Sequence, residues 1–358
     1  MDPVALRAQF PVLARVAYLN AGTDGPLPRA AAESARAEIA AQVEQGRVMA
    51  HFERRHELLD ALRERYAQVL GADSADVAVT SSTTAGIGAV IAGLDLGPGD
   101  EIVTSDSEHP GLLGPLLAAR ERGASVRAVP LADVADAVRA TTTLVACSHV
   151  GWHTGELAPE ALAEVPVPVV LDGAQGAGAV PVDVKALGCA AYAAAGQKWL
   201  CGADGTGMLY LEPEFGRGVR TTMPGYMAFE DPSRGLDSPL RTEARRLEGA
   251  LPREAVALSL AATELLLDAG LDEVTTRATA LAEQFAAALA DSGRTVVPRG
   301  RTTLVAWEDP DPAETRLRLA EAGVVVRNLP GTPYLRASVG AWNDESDLER
   351  LLSALGAR

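Results

Sequence analysis

Cysteine and positive charge are both scarce in this chain. Its three cysteines, Cys147, Cys189 and Cys201, are too few and too irregularly spaced for a disulfide framework or a zinc site. They fit core thiols in a reducing compartment. The formal net charge of −16 argues against nucleic acid or an anionic membrane as a partner, because both select a basic face.

Long apolar runs are also missing. None approaches the roughly 20 residues that span a bilayer, and the N-terminus lacks the pattern of a signal peptide. We therefore expect a cytoplasmic protein that binds no membrane. With 358 residues and 47% hydrophobic content, the chain is long enough for one large α/β domain and a smaller companion.

Short β-branched runs alternate with helical stretches through the first half of the chain. Helical spacing of apolar residues marks 29–46, with Gly46 as a stop, and about 52–70. The alternation predicts a mostly parallel sheet flanked by helices, with strands buried on both faces. The predicted strands are 77–80, 102–104, 126–129, 144–147 and 167–171.

The pattern changes after about Leu211. A connection rich in Gly, Pro and Arg follows, and a loop of this length is more often functional than idle. Two helices are then predicted, at 252–268 and 272–290, before strands and helices alternate to the end. We predict a large domain over 15–235 and a smaller C-terminal α/β domain over 236–358, joined by 1–14.

Lys198 lies in the apolar, Gly-flanked segment 193–202. Desolvation disfavours an ammonium group, so the pKa falls and the amine becomes nucleophilic enough to form an imine with the aldehyde of pyridoxal phosphate. The alternative is a lysine whose stem packs on the segment while its amine reaches solvent.

A run of hydroxyl residues, Ser82, Thr83 and Thr84, separates a predicted strand from a small-residue helix. The unpaired N–H groups of a helix N-terminus, together with these hydroxyls, would hold a phosphate. An ordinary helix cap is the alternative. The Gly spacing and Gly-Lys of a P-loop are absent.

Asp172 ends a hydrophobic predicted strand, where open α/β sheets bind ligands. Such a carboxylate keeps a pyridine nitrogen protonated, so that the ring accepts electrons from a substrate carbanion. Gln175 could donate to the phenolic oxygen of that ring. The alternative for Asp172 is a turn or capping residue. The glycines that follow run in the order opposite to a dinucleotide fingerprint, which disfavours a nicotinamide cofactor.

Three histidines fall near predicted strand ends. His109 could stack on an aromatic cofactor and transfer protons, or could be a surface-loop residue. His149 and His153 are four residues apart, but Gly151 and Gly155 disfavour the helix that would pair them as zinc ligands. We therefore predict no metal site.

Arg336 lies on a short apolar strand near the C-terminus. A guanidinium there needs an anion, and a substrate carboxylate held by two hydrogen bonds would serve. An ion pair within the domain is the alternative.

Taken in order, these features resemble the fold type I, class V aminotransferase family of pyridoxal-phosphate enzymes. The segment Tyr-Leu-Asn-Ala-Gly-Thr-Asp-Gly-Pro-Leu-Pro at 18–28 is similar to the family's N-terminal sequence. Within the family, the chain looks most like the cysteine and cystine C–S lyases. The similarity continues through 81–84, 108–110, 148–152, 172–175, 196–199, 205–207 and 335–338.

The resemblance implies a role for each candidate residue. Lys198 would form the Schiff base, with Asp172 on the ring nitrogen and His109 on the ring face, and these three are the predicted catalytic residues. Arg336 would bind the substrate carboxylate, with Asn20 and Trp152 as further substrate contacts and 20–25 lining the entrance. The predicted cofactor-binding residues are Ser82, Thr83, Thr84, His109, Asp172, Gln175 and Lys198.

Four positions depart from the family pattern. Ala195 stands where relatives often have a phosphate-binding Ser, and Gln197 replaces a common His and cannot titrate. The segment 247–252 lacks the Thr that reaches a partner's phosphate in many relatives, and Thr221 and Thr222 are the candidates to replace it. The loop 327–334 has no Cys, which argues against persulfide transfer.

The resemblance implies a homodimeric enzyme acting on an amino acid. β-Elimination from cysteine, cystine or a cysteine conjugate, with release of pyruvate, ammonia and a sulfur species, is the function we expect. An aminotransferase or an epimerase of the same family is the first alternative. A degenerate member that only binds a ligand is the second.

Overall fold

The computed structural model describes residues 1–356. Glycines end the two long N-terminal helices, since Gly46 and Gly71 have φ of 73° and 65°, a region open to glycine. Within these residues there are ten α-helices: α1 (Pro3–Ala8), α2 (Arg29–Gln45), α3 (Met49–Leu70), α4 (Thr83–Gly93), α5 (Pro110–Glu121), α6 (Pro213–Gly218), α7 (Arg253–Asp268), α8 (Leu271–Asp291), α9 (Pro312–Glu321) and α10 (Glu345–Ala354).

The strands form one large and two small sheets. The same residues contain twelve strands: β1 (Ala17–Tyr18), β2 (Val77–Thr80), β3 (Glu101–Ser105), β4 (Ser125–Val129), β5 (Thr142–Ser148), β6 (Val169–Asp172), β7 (Ala191–Ala195), β8 (Gly207–Leu211), β9 (Leu304–Glu308), β10 (Val324–Val325), β11 (Arg327–Asn328) and β12 (Tyr334–Ser338).

The large sheet has seven strands in the order β2-β8-β7-β6-β5-β3-β4. All neighbours are parallel except at β8, which is antiparallel to both β7 and β2. The predicted sheet, mostly parallel and covered by helices, is therefore confirmed. Strands β7 and β8 were not predicted, because the Ala-rich run 190–195 lacks the β-branched residues that mark a strand.

The sheet separates two cores. On β2 the side chains of Val77 and Val79 join one hydrophobic cluster, while Ala78 joins the other. Alternate residues of a strand point to opposite faces, so a strand buried on both sides needs apolar residues throughout. The continuous apolar runs in the sequence reflect this double burial.

A third core lies in the C-terminal part. The antiparallel sheet β11-β12-β9 packs there with side chains of α8 and α10. Ala17 and Leu19 belong to the same core, and β1 pairs in parallel with β10. The proposed division at residues 235 and 236 stays a prediction.

The connection after β8 contains little regular structure. It holds α6 and three short 3₁₀ turns, at Tyr226–Ala228, Pro232–Asp237 and Ala244–Leu247. Met223 and Leu236 in this segment are almost fully exposed. None of the helices in residues 1–356 is long and apolar enough to cross a bilayer.

Candidate active site

One edge of the large sheet collects most of the predicted site residues. Strands β2, β3, β5, β6 and β7 all point their carboxyl ends to this edge, because β2 is antiparallel to β8 and β8 to β7. Ser82, His109, Trp152, Asp172 and Lys198 each follow or end one of these strands. In open α/β sheets this edge is where ligands bind.

Lys198 lies three residues after β7, in the turn that follows Gly196. Burial lowers the pKa of its amine to about 8, while Asp172 opposes that shift and Arg336 adds to it. A much larger fraction of this amine than of an ordinary lysine is thus deprotonated at physiological pH, and the deprotonated form is the one that acts as a nucleophile or base. Only one other lysine, Lys185, occurs in the chain. Its side chain is 58% exposed and pairs with Asp73.

Asp172 ends β6 and is 5% exposed. Its Oδ1 accepts a hydrogen bond of 2.9 Å from the backbone N–H of Ala174. Burial raises the pKa of the carboxyl, and the nearby Lys198 lowers it. A buried carboxylate that accepts so few hydrogen bonds is stabilised by a nearby cation, so a protonated pyridine nitrogen would suit it.

Gln175 is clamped by two neighbours. Its Nε2 donates to Gly22 O at 2.7 Å, and its Oε1 accepts from Trp199 Nε1 at 3.0 Å. An amide nitrogen carries two hydrogens, so one donor remains for a ligand. The predicted donation to a phenolic oxygen is compatible with these contacts.

The three hydroxyl residues Ser82, Thr83 and Thr84 differ in burial and in hydrogen bonding. Ser82 caps α4, accepting from Ala85 N at 3.0 Å, which is the alternative considered from the sequence. Thr83 Oγ1 is buried and has no partner among residues 1–356. Thr84 is exposed. A free buried hydroxyl at a helix N-terminus is an anchor for an anion such as phosphate.

His109 caps α5, because its Nδ1 accepts from Gly111 N at 3.0 Å. Partial burial, with the cations Lys198 and Arg336 nearby, lowers its pKa. The ring is therefore neutral at physiological pH, with its proton on Nε2. It meets Trp152 edge to face, with ring centroids 5.0 Å apart.

Arg336 is the most deeply buried cation near the edge, at 2% exposure. It donates to Trp152 O, its Nε has no partner, and no carboxylate in residues 1–356 pairs with it. Burial, with a contribution from Arg327, lowers its pKa to about 9. The intradomain ion pair considered from the sequence is not formed, and a guanidinium left in this state is a site for an anion.

Asn20 lies beside this arginine. It forms a β-bridge with Ser338, and the side-chain oxygens Asn20 Oδ1 and Ser338 Oγ are both buried without partners in the described chain. A Cβ on Gly22 would lie 2.8 Å from Ser338 Oγ and 2.9 Å from Arg336 Nη2, so the unpaired hydroxyl lies beside the unpaired guanidinium, and both point to a ligand that would satisfy them. Ser338 was not among the predicted residues, although it lies two positions after Arg336 on β12.

Two glycines of the N-terminal segment are required by close packing. A Cβ on Gly22 would lie 2.9 Å from Arg336 Nη2 and 3.0 Å from Gln175 Oε1. A Cβ on Gly25 would lie 2.1 Å from Lys198 O, and Gly25 N donates to Gln197 O at 2.7 Å. The segment 20–25 is thus packed closely against the residues around Lys198, and its role at the substrate entrance stays a prediction.

Two other histidines considered in the sequence analysis, His149 and His153, and the residue Gln197 lie in surroundings different from that of His109. His149 Nδ1 lies 3.0 Å from the hydroxyl of Tyr192, whereas His153 stacks against Trp152 at 3.9 Å between ring centroids. The two therefore do not share a ligand position. Gln197 Oε1 is buried and unpartnered among the residues described.

These residues fit pyridoxal phosphate. The free Thr83 hydroxyl suits its phosphate, the buried Asp172 its ring nitrogen, and the Lys198 amine its aldehyde. Sequence reasoning found Thr83 and Asp172 because each follows or ends a recognisable strand, and Lys198 because it lies in an apolar, Gly-flanked segment. It missed Trp199, whose indole N–H holds Gln175, although it directly follows the lysine.

Comparison with known proteins gives the family. The model of the class V aminotransferases matches residues 18–351. Isopenicillin N epimerase of Streptomyces clavuligerus is 30% identical, over 96% of this chain and 94% of that protein. The cysteine desulfurase CsdA of Escherichia coli is 29% identical, over 99% of this chain and 97% of that protein.

Solved structures agree with this result. A variant of C-DES with glycine covalently linked to its pyridoxal-phosphate cofactor superposes with a TM-score of 0.92 at 28% identity, covering 98% of both chains. The cystine C–S lyase C-DES in complex with cysteine persulfide gives 0.90 at 28% identity, over 97% of this chain and 99% of that one. The predicted fold type and the predicted pyridoxal-phosphate-dependent enzyme are confirmed. The chain belongs to the class V aminotransferase family.

Proposed function

We propose that this enzyme catalyses β-elimination from cystine, cysteine or a cysteine conjugate. One observation carries the proposal: an amine of lowered pKa, Lys198, shares its site with an unpaired buried cation, Arg336, that suits an amino-acid carboxylate. The relatives C-DES and CsdA, which are named for cystine cleavage and cysteine desulfuration, support a sulfur-containing substrate.

Each residue has a distinct task in this proposal. Pyridoxal phosphate, when bound, supplies an aldehyde for amines and a ring that accepts electrons from the substrate Cα. Asp172 would hold the proton on the ring nitrogen, and Thr83 with the N-terminus of α4 would hold the phosphate. Lys198 is the base that removes the Cα proton. Arg336, with Asn20 and Trp152 nearby, fixes the carboxylate.

The elimination breaks two bonds of the substrate. The Cα–H and Cβ–S bonds break, the sulfur leaves with the electron pair of its bond, and Lys198 Nζ takes the proton. Water then hydrolyses the remaining three-carbon unit to pyruvate and ammonia. His109, neutral because its pKa is lowered, would pack on the ring rather than act as an acid.

The cysteines of this chain support release of sulfur to solvent. Burial raises the pKa of all three thiols, Cys147, Cys189 and Cys201, so none is a ready nucleophile. The loop between β11 and β12 contains no cysteine. Persulfide transfer to the enzyme is therefore disfavoured.

The similarity to an epimerase motivates a second candidate. Epimerisation returns the Cα proton from the opposite face, which needs a second acid besides Lys198. Gln197 cannot titrate, and the lowered pKa of His109 makes it a weak supplier of protons. Elimination is the better match to these residues.

A homodimer is part of the proposal. The end of α2, the turn after it and the segment around residue 226 expose apolar side chains, among them Val43 at 80% and Met49 at 69%. Phe52 on α3 contacts Tyr226, with centroids 5.6 Å apart, so these elements form one surface. Exposed apolar patches of this kind mark association sites. A cytoplasmic location remains a prediction.

The products provide the first test. Incubated with cystine, cysteine or S-methylcysteine, the purified enzyme should release pyruvate and ammonia in equal amounts, together with a sulfur species. Conversion of the bound cofactor to its pyridoxamine form without pyruvate would show transamination. Exchange of the Cα proton with inversion, again without pyruvate, would show epimerisation.

The two lysines allow a matched test. Lys198→Ala should abolish the near-visible absorbance of the bound cofactor and lower activity by at least about a hundredfold. Lys185→Ala should keep both. In cofactor-free Lys185→Ala protein, the rate at which added pyridoxal phosphate restores the band should rise with pH, reach half of its maximum near pH 8 and level off above about pH 9, because the Lys198 amine must first lose its proton. A rate still climbing at pH 10 would contradict the lowered pKa.

Arg336→Gln tests carboxylate binding. A hydrogen-bonded charge pair contributes about 1.5–3 kcal/mol, so KM for cystine should rise about 10- to 100-fold. Formation of an imine with cystamine, which has no carboxylate, should change little. Equal weakening for cystine and cystamine would mean that Arg336 has only a structural role.

Sedimentation velocity tests the dimer. The molecular mass obtained for the wild-type enzyme should be twice the 37.2 kDa of the single chain. A variant with Val43→Glu and Met49→Glu should shift toward the monomer, because both charges would be buried in the interface. Leu317→Glu, at an exposed apolar position on α9, is the control and should stay dimeric. A monomeric wild-type enzyme at micromolar concentration would refute this part of the proposal.

A further inference from the structure

A cavity of about 1240 Å³ lies apart from the active site described above. It shares no lining residue with the group formed by Lys198, Asp172 and Arg336. Its walls come from the end of α3, the segments 157–163 and 180–187, and the junction of α7 and α8. A concave space between several elements, large enough to enclose a small molecule, is a candidate ligand site.

The walls of this cavity are mainly apolar. Leu187, Leu267 and Leu271 are only partly buried there, while Leu162 and Val180 behind them belong to the largest core. Partly exposed leucines on a concave wall are stabilised when an apolar ligand covers them. The cavity therefore favours a ligand with an apolar body.

His149 supplies a hydrogen-bond donor in the cavity lining. The hydroxyl of Tyr192 is fully enclosed, and its one partner among residues 1–356 is His149 Nδ1 at 3.0 Å. A buried phenol keeps its proton and donates it, so Nδ1 accepts and the neutral ring carries its proton on Nε2. No group in the described chain accepts that proton, and His149 is one of the residues that line the cavity.

The charges at the cavity select against anions. Glu160, Asp183 and Asp272 line it without ion-pair partners in residues 1–356, whereas Arg301, its one cation, pairs with Glu283. A negative rim repels carboxylates and phosphates and tolerates neutral or positively charged molecules. The ligand class is thus narrowed by charge as well as by shape.

We propose that this cavity is a second ligand site, which takes an uncharged or cationic apolar molecule with a hydrogen-bond acceptor at its inner end. The acceptor meets His149 Nε2, the apolar body covers the leucines, and the outer end faces the acidic rim. This inference does not depend on the substrate of the enzyme.

The site is mechanically connected to the catalytic edge. A Cβ on Gly176 would lie 2.2 Å from the Tyr192 hydroxyl and 2.7 Å from His149 Nδ1, and one on Gly173 would lie 2.0 Å from the Tyr192 ring. The loop that carries Asp172 and Gln175 therefore rests directly on the His149–Tyr192 pair. A ligand on His149 contacts the support of that loop.

Prodan, the uncharged aromatic ketone 6-propionyl-2-(dimethylamino)naphthalene, is the probe for this site. Added to the cofactor-loaded enzyme, it should show a saturable, blue-shifted fluorescence that excess glycine in the substrate site does not remove. 2-Acetylnaphthalene should displace it about fivefold more effectively than 2-ethylnaphthalene, which lacks the acceptor. The anion 2-naphthoate should be the weakest competitor of the three.

Substitutions that fill the cavity locate the probe. Leu267→Trp should lower Prodan affinity at least tenfold while activity and the cofactor absorbance stay unchanged, and Ala186→Trp, at a second lining position, should do the same if Leu267→Trp fails to fold. Leu317→Trp on the surface of α9 is the control and should bind normally. Absence of saturable binding, equal binding by the filled variants, or no advantage of the ketone over the hydrocarbon would each overturn the proposal.

Discussion

Burial of charge without full compensation governs the chemistry of this protein. Two cations, Lys198 and Arg336, and one carboxylate, Asp172, are held out of water near the same sheet edge. Their pKa values move toward neutrality as a result, which costs stability in the absence of a ligand. A cofactor with a phosphate, an aldehyde and a basic ring nitrogen, together with an amino-acid carboxylate, supplies the missing partners.

The scaffold keeps these groups in place through contacts that involve little charge. Gln175 is held between Gly22 O and the indole of Trp199, while Gly25 packs on the carbonyl of Lys198. These contacts join the N-terminal segment to the loops after β6 and β7. A preorganised site of this kind needs little rearrangement when its ligand arrives.

The sequence predicted the regular elements where their patterns are strong. The helix 29–46 and the strand 77–80 correspond to α2 and β2 almost residue for residue, because periodicity and a terminal glycine mark the first and β-branched residues the second. β7 escaped prediction, since alanine favours helices and is depleted in strands, and only the place of this segment between β6 and β8 makes it extended. Ser338 escaped because its unpaired hydroxyl is apparent only beside Asn20.

Sequence alone determined the family and the residue types of the site, because a lysine in an apolar turn and an aspartate at a strand end are local patterns. The tertiary structure decided which charged side chains of the site form ion pairs and which remain unpaired. Arg336 had an ion pair as an equal alternative in sequence, and only the fold, by burying it away from every carboxylate in residues 1–356, left it open for a substrate. Whether a charge is compensated depends on distant segments, and no local pattern encodes that.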